Sequence, residues 1–300
     1  MANAVGIQPV GCPVSHAPDS VRLPFNIAGP NACSQPDDHH WFPQLIARCR
    51  HLTVVCAIAA LALLPDRCIA EDSWDDNGPL AFHTDFQFAR LRYSTGFDRG
   101  YRQRWLTDYP DADQHLVRGI NRLTVINTAD ESRRIGIMDD DIFDYPLLYL
   151  VEPGTWELSD EEARRLREYL LRGGFMLVDD FHGSREWHGF AIGMRRIFPD
   201  RPIIEIPRTD PVFHTVYDLS EPVQIPGIGA AMRGMTHERD GITPHWRGIY
   251  DDDKHLMVAI NFNMDLGDAW EHADIPQYAL QYTNRAYQHA INYIIYAMTH

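Results

Sequence analysis

Short apolar runs alternate with helix-patterned segments along residues 81–300, and this order predicts an α/β fold. The first predicted strand lies within Ala81–Tyr93, where apolar and polar residues alternate from Phe86 onward. Leu147–Val151 and Phe175–Val178 are instead apolar at every position, as in strands that are buried on both faces of a parallel sheet. Ile203–Ile206 is a further short strand. The pattern therefore predicts a mostly parallel sheet.

The segment between the two fully apolar strands has the clearest helix pattern. Ser159 precedes the predicted helix Asp160–Arg172, and Glu162 follows Ser159 by three positions, which is the spacing of a capping box. Gly173 and Gly174 then end the helix. Its apolar face consists of Ala163, Leu166, Tyr169 and Leu170. Strand, helix and strand with short connections predict a βαβ unit with a right-handed crossover.

The remaining pattern completes a single predicted domain over residues 71–300. Further helices are predicted at about 101–122, at 187–197 and at the end of the chain, where Tyr287, Ile291 and Ile294 share one face. Residues 207–244 are rich in proline and glycine and predict a long loop. Ile249–Tyr250 and Leu256–Ile260 form a predicted hairpin with an acidic turn, so the direction of the second strand stays open.

The first seventy residues have a different character. Leu52–Leu64 is an apolar run of thirteen residues that follows Arg48 and Arg50, and it is shorter than a membrane-spanning helix. We expect residues 51–70 to be a signal peptide cleaved after Ala70, or a signal anchor that holds the chain in the membrane through residues 52–64; a core helix is the alternative. Residues 1–50 are a predicted disordered extension, or they precede the true start. The expected location is exported, periplasmic or membrane-associated.

Cysteine placement and net charge exclude several function classes. All five cysteines precede residue 69, so a mature chain that begins near residue 71 has no thiol for a nucleophile, a disulfide or a zinc site. The formal net charge is -15 and no basic stripe is present, which argues against a nucleic-acid partner. The sequence makes no prediction of the oligomeric state.

Polar residues follow the predicted strands, where ligands bind in open α/β sheets. Arg92 ends the first strand, Glu152 follows Leu147–Val151, and Asp180 and His182 follow Phe175–Val178. The last strand is followed by Asp268, Trp270 and His272, which join the others only if that strand is parallel. We therefore predict a cleft with Asp180 and His182 as catalytic residues. The predicted ligand-binding residues are Arg92, Glu152, Asp268, Trp270 and His272.

The residue types suggest roles within this cleft. Carboxylates accept protons, His182 can shuttle them and Arg92 can hold an anion. Asp179 and Asp180 point in opposite directions if the strand continues through them, so we expect Asp179 to pack or to cap a helix. Trp270 and Trp246 either stack on a ligand or are buried against the sheet.

A divalent metal is an alternative cofactor, and no residue is assigned to it. Asp180, His182 and His272, together with Asp268 and Glu271, are ligand types that suit zinc or manganese. Their spacing matches no known ligand motif. A serine nucleophile elbow and a phosphate-binding loop are both absent from the sequence.

The chain resembles a bacterial family that is known only as a domain of unknown function (DUF4159). The resemblance covers about residues 84–300. Its carriers are Phe88–Tyr93, Asp144–Tyr149, Leu170–Phe175 with Asp179–Asp180, Asn263–Glu271 and Ile291–His300. It implies a flavodoxin-like, mostly parallel sheet with helices on both faces, similar to the class I glutamine amidotransferases, and an exported or membrane-linked setting. It implies no established reaction, and the nucleophilic cysteine of that superfamily is missing here.

Three functions are compatible with these observations. The leading hypothesis is an exported domain that binds a small polar ligand, such as a sugar or a peptide fragment, in the predicted cleft. The second is a hydrolase in which Asp180 or His182 activates water, with or without a metal. The third is an interaction module in an assembly of the cell envelope.

Overall fold

A computed structural model describes residues 84–95, 103–221 and 223–300. The strands are β1 (Ala89–Arg92), β2 (Ser94–Thr95), β3 (Arg133–Gly136), β4 (Leu147–Val151), β5 (Trp156–Glu157), β6 (Phe175–Asp179), β7 (Ile204–Glu205), β8 (His245–Tyr250) and β9 (Leu256–Phe262). The α-helices are α1 (Asp111–Leu123), α2 (Asp160–Leu171), α3 (Gly183–Ile197), α4 (Ile228–Ala231), α5 (Leu266–Glu271) and α6 (Leu280–Thr299).

The strand order of the main sheet is β3-β1-β4-β6-β9-β8-β7. The first five strands in this order run parallel to one another, and β8 pairs antiparallel with both β9 and β7. Numbered along the chain, the five parallel strands have the order 2-1-3-4-5, which is that of flavodoxin-like sheets. The predicted mostly parallel α/β fold is thus confirmed. β2 and β5 form a separate antiparallel pair.

Alternation along β4 divides the core between the two faces of the sheet. Leu147, Tyr149 and Val151 pack into a cluster with residues of α1, α5 and α6. Leu148 and Leu150 pack into a second cluster with residues of α2 and α3. Both β4 and β6 are buried at every position, which explains why their sequences are apolar without interruption. The expectation of helices on both faces is confirmed.

Local sequence signals explain the boundaries of α2. The backbone N–H of Glu162 donates to Oγ of Ser159 at 3.1 Å, and the backbone N–H of Ser159 donates to Oε2 of Glu162 at 2.7 Å. Both bonds of the predicted capping box are therefore formed. Gly173 follows the helix with φ of 99°, a conformation that glycine adopts without a steric penalty.

Several predicted boundaries were wrong. The helix expected at 101–122 begins only at Asp111, because Pro110 directly precedes it and a proline inside a helix would disrupt it. The long loop predicted at 207–244 contains α4 and a 3₁₀ turn at Pro211–Phe213. The edge strand β3 was missed, since its first two residues are Arg133 and Arg134 and the apolar signal is weak.

The direction of β9 determines which residues share an edge. Met176 of β6 pairs with Val258 of β9 in a parallel register, so β9 ends at the same edge as β6. The polar residues after β9 therefore lie beside those after β6, as the leading interpretation requires.

The predicted extension, signal segment and membrane anchor within residues 1–70 lie outside the described residues. Among the helices of the described ranges, none combines the length and apolar character that crossing a bilayer requires.

Candidate functional site

Unusual backbone conformations mark the carboxyl ends of the central strands. Glu152, Asp180 and Asn263 directly follow β4, β6 and β9, and they have φ values of 47°, 52° and 64°. Asp108, between β1 and α1, has φ of 62°. Residues other than glycine rarely adopt positive φ, and such conformations cluster at functional sites. This edge of the sheet therefore has the backbone conformations that are typical of a functional site.

The two predicted catalytic residues are in contact at this edge. Nε2 of His182 lies 3.2 Å from Oδ1 of Asp180, and both side chains are buried. Nδ1 of His182 is buried and makes no hydrogen bond within the described ranges. Burial, with a contribution from the positive charge of Arg239, lowers the pKa of His182 to about 3. The imidazole is therefore neutral at pH 7, which is the form that accepts a proton or binds a metal.

Asp179 has a structural role that differs from that of Asp180. Its Oδ2 accepts hydrogen bonds from the backbone N–H groups of Leu266 at 2.8 Å and Gly267 at 3.0 Å. The hydroxyl of Tyr149 donates to the same oxygen at 3.1 Å. Asp179 thus caps the start of α5, which agrees with the expectation that it packs or caps a helix. The bond ties the end of β6 to the segment that follows β9.

A second group of carboxylates lies beside this pair. Asp265 is buried, and its Oδ1 accepts a hydrogen bond from the backbone N–H of Asp268 at 2.8 Å. Asp108 is also buried. Asp108 was missed by the sequence analysis, and Asp265 was given no role. The signal for Asp108 was its place in the connection after β1, since that connection also starts from the carboxyl edge.

These residues form three overlapping sets of potential metal ligands. Within each set, one ligand atom per residue lies within 4.8 Å of those of the other residues. Asp265 belongs to two of the sets and Asp268 to two. The sets are Asp180–His182–Asp265, Asp108–Asp265–Asp268 and Asp268–Glu271–His272. We refer to the seven members together as the acidic cluster. Of the predicted residues, Asp180, His182, Asp268 and His272 are brought together in it.

Burial and mutual repulsion raise the pKa of the carboxyls in and beside this cluster. Burial, followed by the charge of Asp268, raises the pKa of Asp108 to about 8. Burial raises the pKa of Asp179 to about 7, although its hydrogen bonds oppose the shift. Burial also holds the pKa values of Asp180 and Asp265 well above the ordinary range. So many buried carboxyls can be ionised together only if a cation neutralises them.

Glu152 lies at the rim of the acidic cluster. Its carboxylate pairs with Arg104, and its charge is, after burial, the largest cause of the raised pKa of Asp180. Glu186 lies close by: its Oε2 accepts a hydrogen bond from the backbone N–H of His182 at 2.7 Å, and it pairs with Arg239. The rim therefore combines two half-exposed arginines with two carboxylates.

Arg92 is placed differently from its prediction. Its Nη2 donates to Oδ2 of Asp139 at 3.2 Å, on the side of β1 that faces β3. β4 separates β1 from β6 in the sheet, so Arg92 is directed away from Asp180 and His182. It lines a separate pocket of about 350 Å³ together with Gln103. The structure therefore places Arg92 in a pocket whose lining does not include Asp180 or His182, and not in a single cleft with them.

Trp270 does not form part of a cleft. Its side chain is fully buried, and its ring packs against Phe88 and Tyr149 at centroid distances of 6.4 and 5.5 Å. A ring with no exposed face cannot stack on a ligand, so the predicted ligand-binding role is wrong and the alternative of burial applies. Trp246 is partly exposed and lines a pocket of about 350 Å³ near β7 and β8.

The fold and the site define a class of protein: a doubly wound α/β domain whose candidate site lies at the carboxyl edge of a mostly parallel sheet. The model of the family described as a domain of unknown function (DUF4159) matches residues 87–298. The chain therefore belongs to this family, as the resemblance of its motifs implied. The sequence matches none of the curated proteins.

Proposed function

We propose that this protein is a hydrolase that depends on a divalent cation, held by Asp180, His182 and Asp265. One observation carries the proposal: these three buried side chains place ligand atoms within 4.8 Å of one another, at the edge of the sheet where α/β proteins bind ligands.

The ligand set suits particular cations. One imidazole nitrogen with two carboxylate oxygens is a donor set that binds manganese or zinc. Three protein ligands leave coordination positions for water and substrate, as in catalytic metal sites. His182 fits this role because it is neutral at pH 7. A cation here would also offset the repulsion among the neighbouring carboxylates.

A bound cation supplies a nucleophile without a thiol. Divalent cations lower the pKa of a coordinated water, which generates hydroxide near neutral pH. This chemistry is compatible with a chain that has no cysteine after Cys68. Asp179 would be an outer-shell partner of the metal site, since its hydrogen bonds fix the start of α5 directly after Asp265. Such outer partners orient the ligands of a metal.

Metal binding by the whole chain is the first test. After dialysis against a chelator, we expect calorimetric titration to give saturable binding of Mn²⁺. His182→Ala should weaken it by more than the roughly 10–100-fold that loss of an outer-shell partner costs. His188→Ala is the matched control, because His188 is exposed on α3, and it should bind like the wild type. Undetectable binding by the wild type, or unchanged binding by His182→Ala, would overturn the proposal.

Catalysis is tested separately from binding. Chromogenic carboxylic ester and phosphodiester substrates should be cleaved faster by the Mn²⁺-loaded protein than by the metal-free protein, and His182→Ala should abolish the difference. A protein that binds Mn²⁺ but hydrolyses neither class would be a metal-binding domain rather than a hydrolase of these esters.

The pocket beside Arg92 favours a second candidate function, which is binding of a small polar ligand. The pocket has a volume of about 350 Å³, within the range of small-molecule sites, and its lining includes Arg92, Gln103 and Trp105. The guanidinium of Arg92, which also donates to Asp139 in the lining, suits a ligand with an anionic group. Thermal-shift screening with sugar acids and small peptides should find ligands whose effect is lost in Arg92→Ala but retained in Arg164→Ala on α2.

A further inference from the structure

We propose that a second divalent cation binds beside the first, at Asp108, Asp265 and Asp268, and that Asp265 bridges the two ions. This inference rests on the proposed function, because it takes the first ion as given. It adds a second metal site and assigns it an oxygen-only ligand set.

Asp265 is shared by two ligand sets, and this sharing suggests a pair of ions. Asp265 belongs both to the set with Asp180 and His182 and to the set with Asp108 and Asp268. A carboxylate has two oxygens and can bind one ion through each. Two ions bridged in this way lie about 3.5–4 Å apart in two-metal enzymes. The backbone N–H of Asp268 donates to Oδ1 of Asp265 at 2.8 Å, which restrains the orientation of this carboxylate.

Asp108 provides an independent observation. Its side chain is only 9% exposed, yet its Oδ2 has no hydrogen-bond partner in the described part of the chain. Buried polar atoms are nearly always bonded to protein, water or an ion. The same residue provides one of the three converging ligand atoms of the second set. A buried carboxylate oxygen without a partner, on a residue that belongs to this set, is suited to bind a cation.

Two glycines make room for these oxygens. A Cβ on Gly267 would lie 2.5 Å from Oδ2 of Asp108. A Cβ on Gly227 would lie 2.7 Å from Oδ2 of Asp265, 3.0 Å from Oδ2 of Asp268 and 2.8 Å from Oε1 of Glu238. Carboxylate oxygens thus lie close to both glycines, and the backbone N–H of Ile228 also donates to Oδ2 of Asp268 at 2.6 Å. A set of carboxylate oxygens suits Mg²⁺ or Mn²⁺.

The balance of charge also favours two ions. The two ligand sets contain four different carboxylates, from Asp108, Asp180, Asp265 and Asp268. When ionised, they carry four negative charges, which two divalent cations neutralise and one does not. With all four ionised, a single ion leaves two negative charges that protonation has to remove, and two ions leave none.

The stoichiometry and magnetic coupling of bound Mn²⁺ test the pair. The full chain is loaded with Mn²⁺, freed of excess by gel filtration and analysed by elemental analysis and electron paramagnetic resonance. We expect two ions per chain with the exchange-coupled spectrum of neighbouring ions. Asp108→Asn should retain one uncoupled ion. Asp274→Asn, which removes an exposed carboxylate three residues after the end of α5, should retain two coupled ions.

Each other outcome has a distinct meaning. A wild-type chain that binds no ion overturns the proposed function, whereas one that binds a single ion overturns only the second site. Two uncoupled ions overturn the bridging role of Asp265. Retention of two coupled ions in Asp108→Asn overturns the ligand assignment. If Asp108→Asn fails the circular dichroism check of folding, the wild-type stoichiometry and coupling still decide the proposal.

Discussion

The residue directly after each central strand determines how the site is built. Glu152, Asp180 and Asn263 all have positive φ, which costs of order 1–3 kcal/mol for each such residue. A residue with positive φ does not continue the extended backbone of a strand, so each strand ends there. The side chain of that residue then points in a direction that differs from the strand's alternation. Asp179 and Asp180 consequently serve different purposes although they are adjacent: the first binds backbone N–H groups of α5 and the second contacts His182.

The raised carboxyl pKa values predict how the stability of the metal-free protein depends on pH. The pKa of Asp108 rises from 3.8 to about 8 on folding, so between these values the folded state holds more protons than the unfolded state. The contribution of Asp108 to the free energy of unfolding is therefore full below about pH 4, and it is lost as the pH rises through 8. Asp179, Asp180 and Asp265 shift in the same direction.

Two buried histidines make the folded state less stable as the pH falls, which is opposite to the effect of the carboxyls. The pKa of both His182 and His289 falls from 6.5 to about 3 on folding, so their contribution is lost as the pH falls below 6.5. Above pH 6.5 the effect of these two histidines has ended, and the effect of the carboxyls continues. We expect urea unfolding to give a free energy about 1–2 kcal/mol lower at pH 8.5 than at pH 6.5, from Asp108 alone.

Two comparisons isolate the cause of that decline. Asp108→Asn should show a smaller fall between pH 6.5 and 8.5, and saturating Mn²⁺ should reduce the fall in the wild type. A metal-free wild type whose stability stays constant or increases over this interval would contradict the assignment of raised carboxyl pKa values.

At the scale of elements, a buried ion pair fixes the connection that contains Asp108. Nε of Arg90 in β1 donates to Oδ1 and Oδ2 of Asp113 in α1 at 3.0 and 3.2 Å. Nη1 of Arg90 donates to the carbonyl oxygens of Trp105 at 3.0 Å and Thr107 at 2.8 Å. The strand, the connection and the helix are therefore tied to one guanidinium group.

Removal of one partner from this pair should destabilise the fold. Asp113→Ala leaves the buried charge of Arg90 without its partner, and such changes cost about 3–5 kcal/mol. Urea unfolding measures the loss. Asp111→Ala removes an exposed carboxylate from the first turn of the same helix, and it should cost less than about 1 kcal/mol. Similar values for the two variants would contradict this role of the pair.

A substitution directly before α4 tests whether the carboxylate oxygens of the acidic cluster need the room that a glycine leaves. Gly227→Ala would place a methyl group within 3.0 Å of three carboxylate oxygens, so we expect Mn²⁺ binding to weaken by roughly 10-fold or more, as on loss of an outer-shell partner. The φ of Gly227 is −60°, so the backbone itself accepts alanine. Calorimetry gives the affinity.

Gly229→Ala is the matched control for this substitution. It lies two residues further on, in α4, and among the described residues its new methyl group would meet Nη1 of Arg233, at 3.6 Å. We expect wild-type affinity for Mn²⁺. An equal loss of affinity in both variants would mean that alanine acts through the helix rather than through the carboxylates.

At the scale of the whole molecule, the sheet brings together residues that are distant in the sequence. Asp108 follows β1, Asp180 follows β6 and Asp265 follows β9, and all three strands are parallel. The sequence predicted Asp180 and His182 because they directly follow an apolar strand. It did not predict Asp108, since the path of the long connection after β1 depends on tertiary contacts such as those of Arg90.

Elements with a strong local sequence pattern were predicted correctly, whereas features with a weak pattern or with distant contacts were not. The capping box of α2 and the apolar runs of β4 and β6 are local signals, and these elements were predicted almost to the residue. β3 lies at an edge of the sheet and has a weak pattern. Burial of Trp270 depends on Phe88 and Tyr149, which lie on other elements, so no local pattern could distinguish it from a residue in a cleft.

Export is a prediction for the complete chain. If residues 51–70 are a cleaved signal, cells that produce the full sequence should release a form that begins at Glu71 into the cell envelope. Mass spectrometry of the intact protein from separated fractions measures this. Substitution of Ala70 by arginine should leave the uncleaved form. Full-length protein that stays in the cytosol in both cases would contradict the signal.

Because Asp265 would bind both proposed ions, the ions would also connect separate segments of the folded chain. The two proposed ions would link the segments after β1, β6 and β9 through short coordination bonds. Secreted domains commonly achieve such linkage with disulfides, and this chain has no cysteine after Cys68. The cations would then serve as its cross-links. Chelation should make the domain more susceptible to proteolysis as well as inactive.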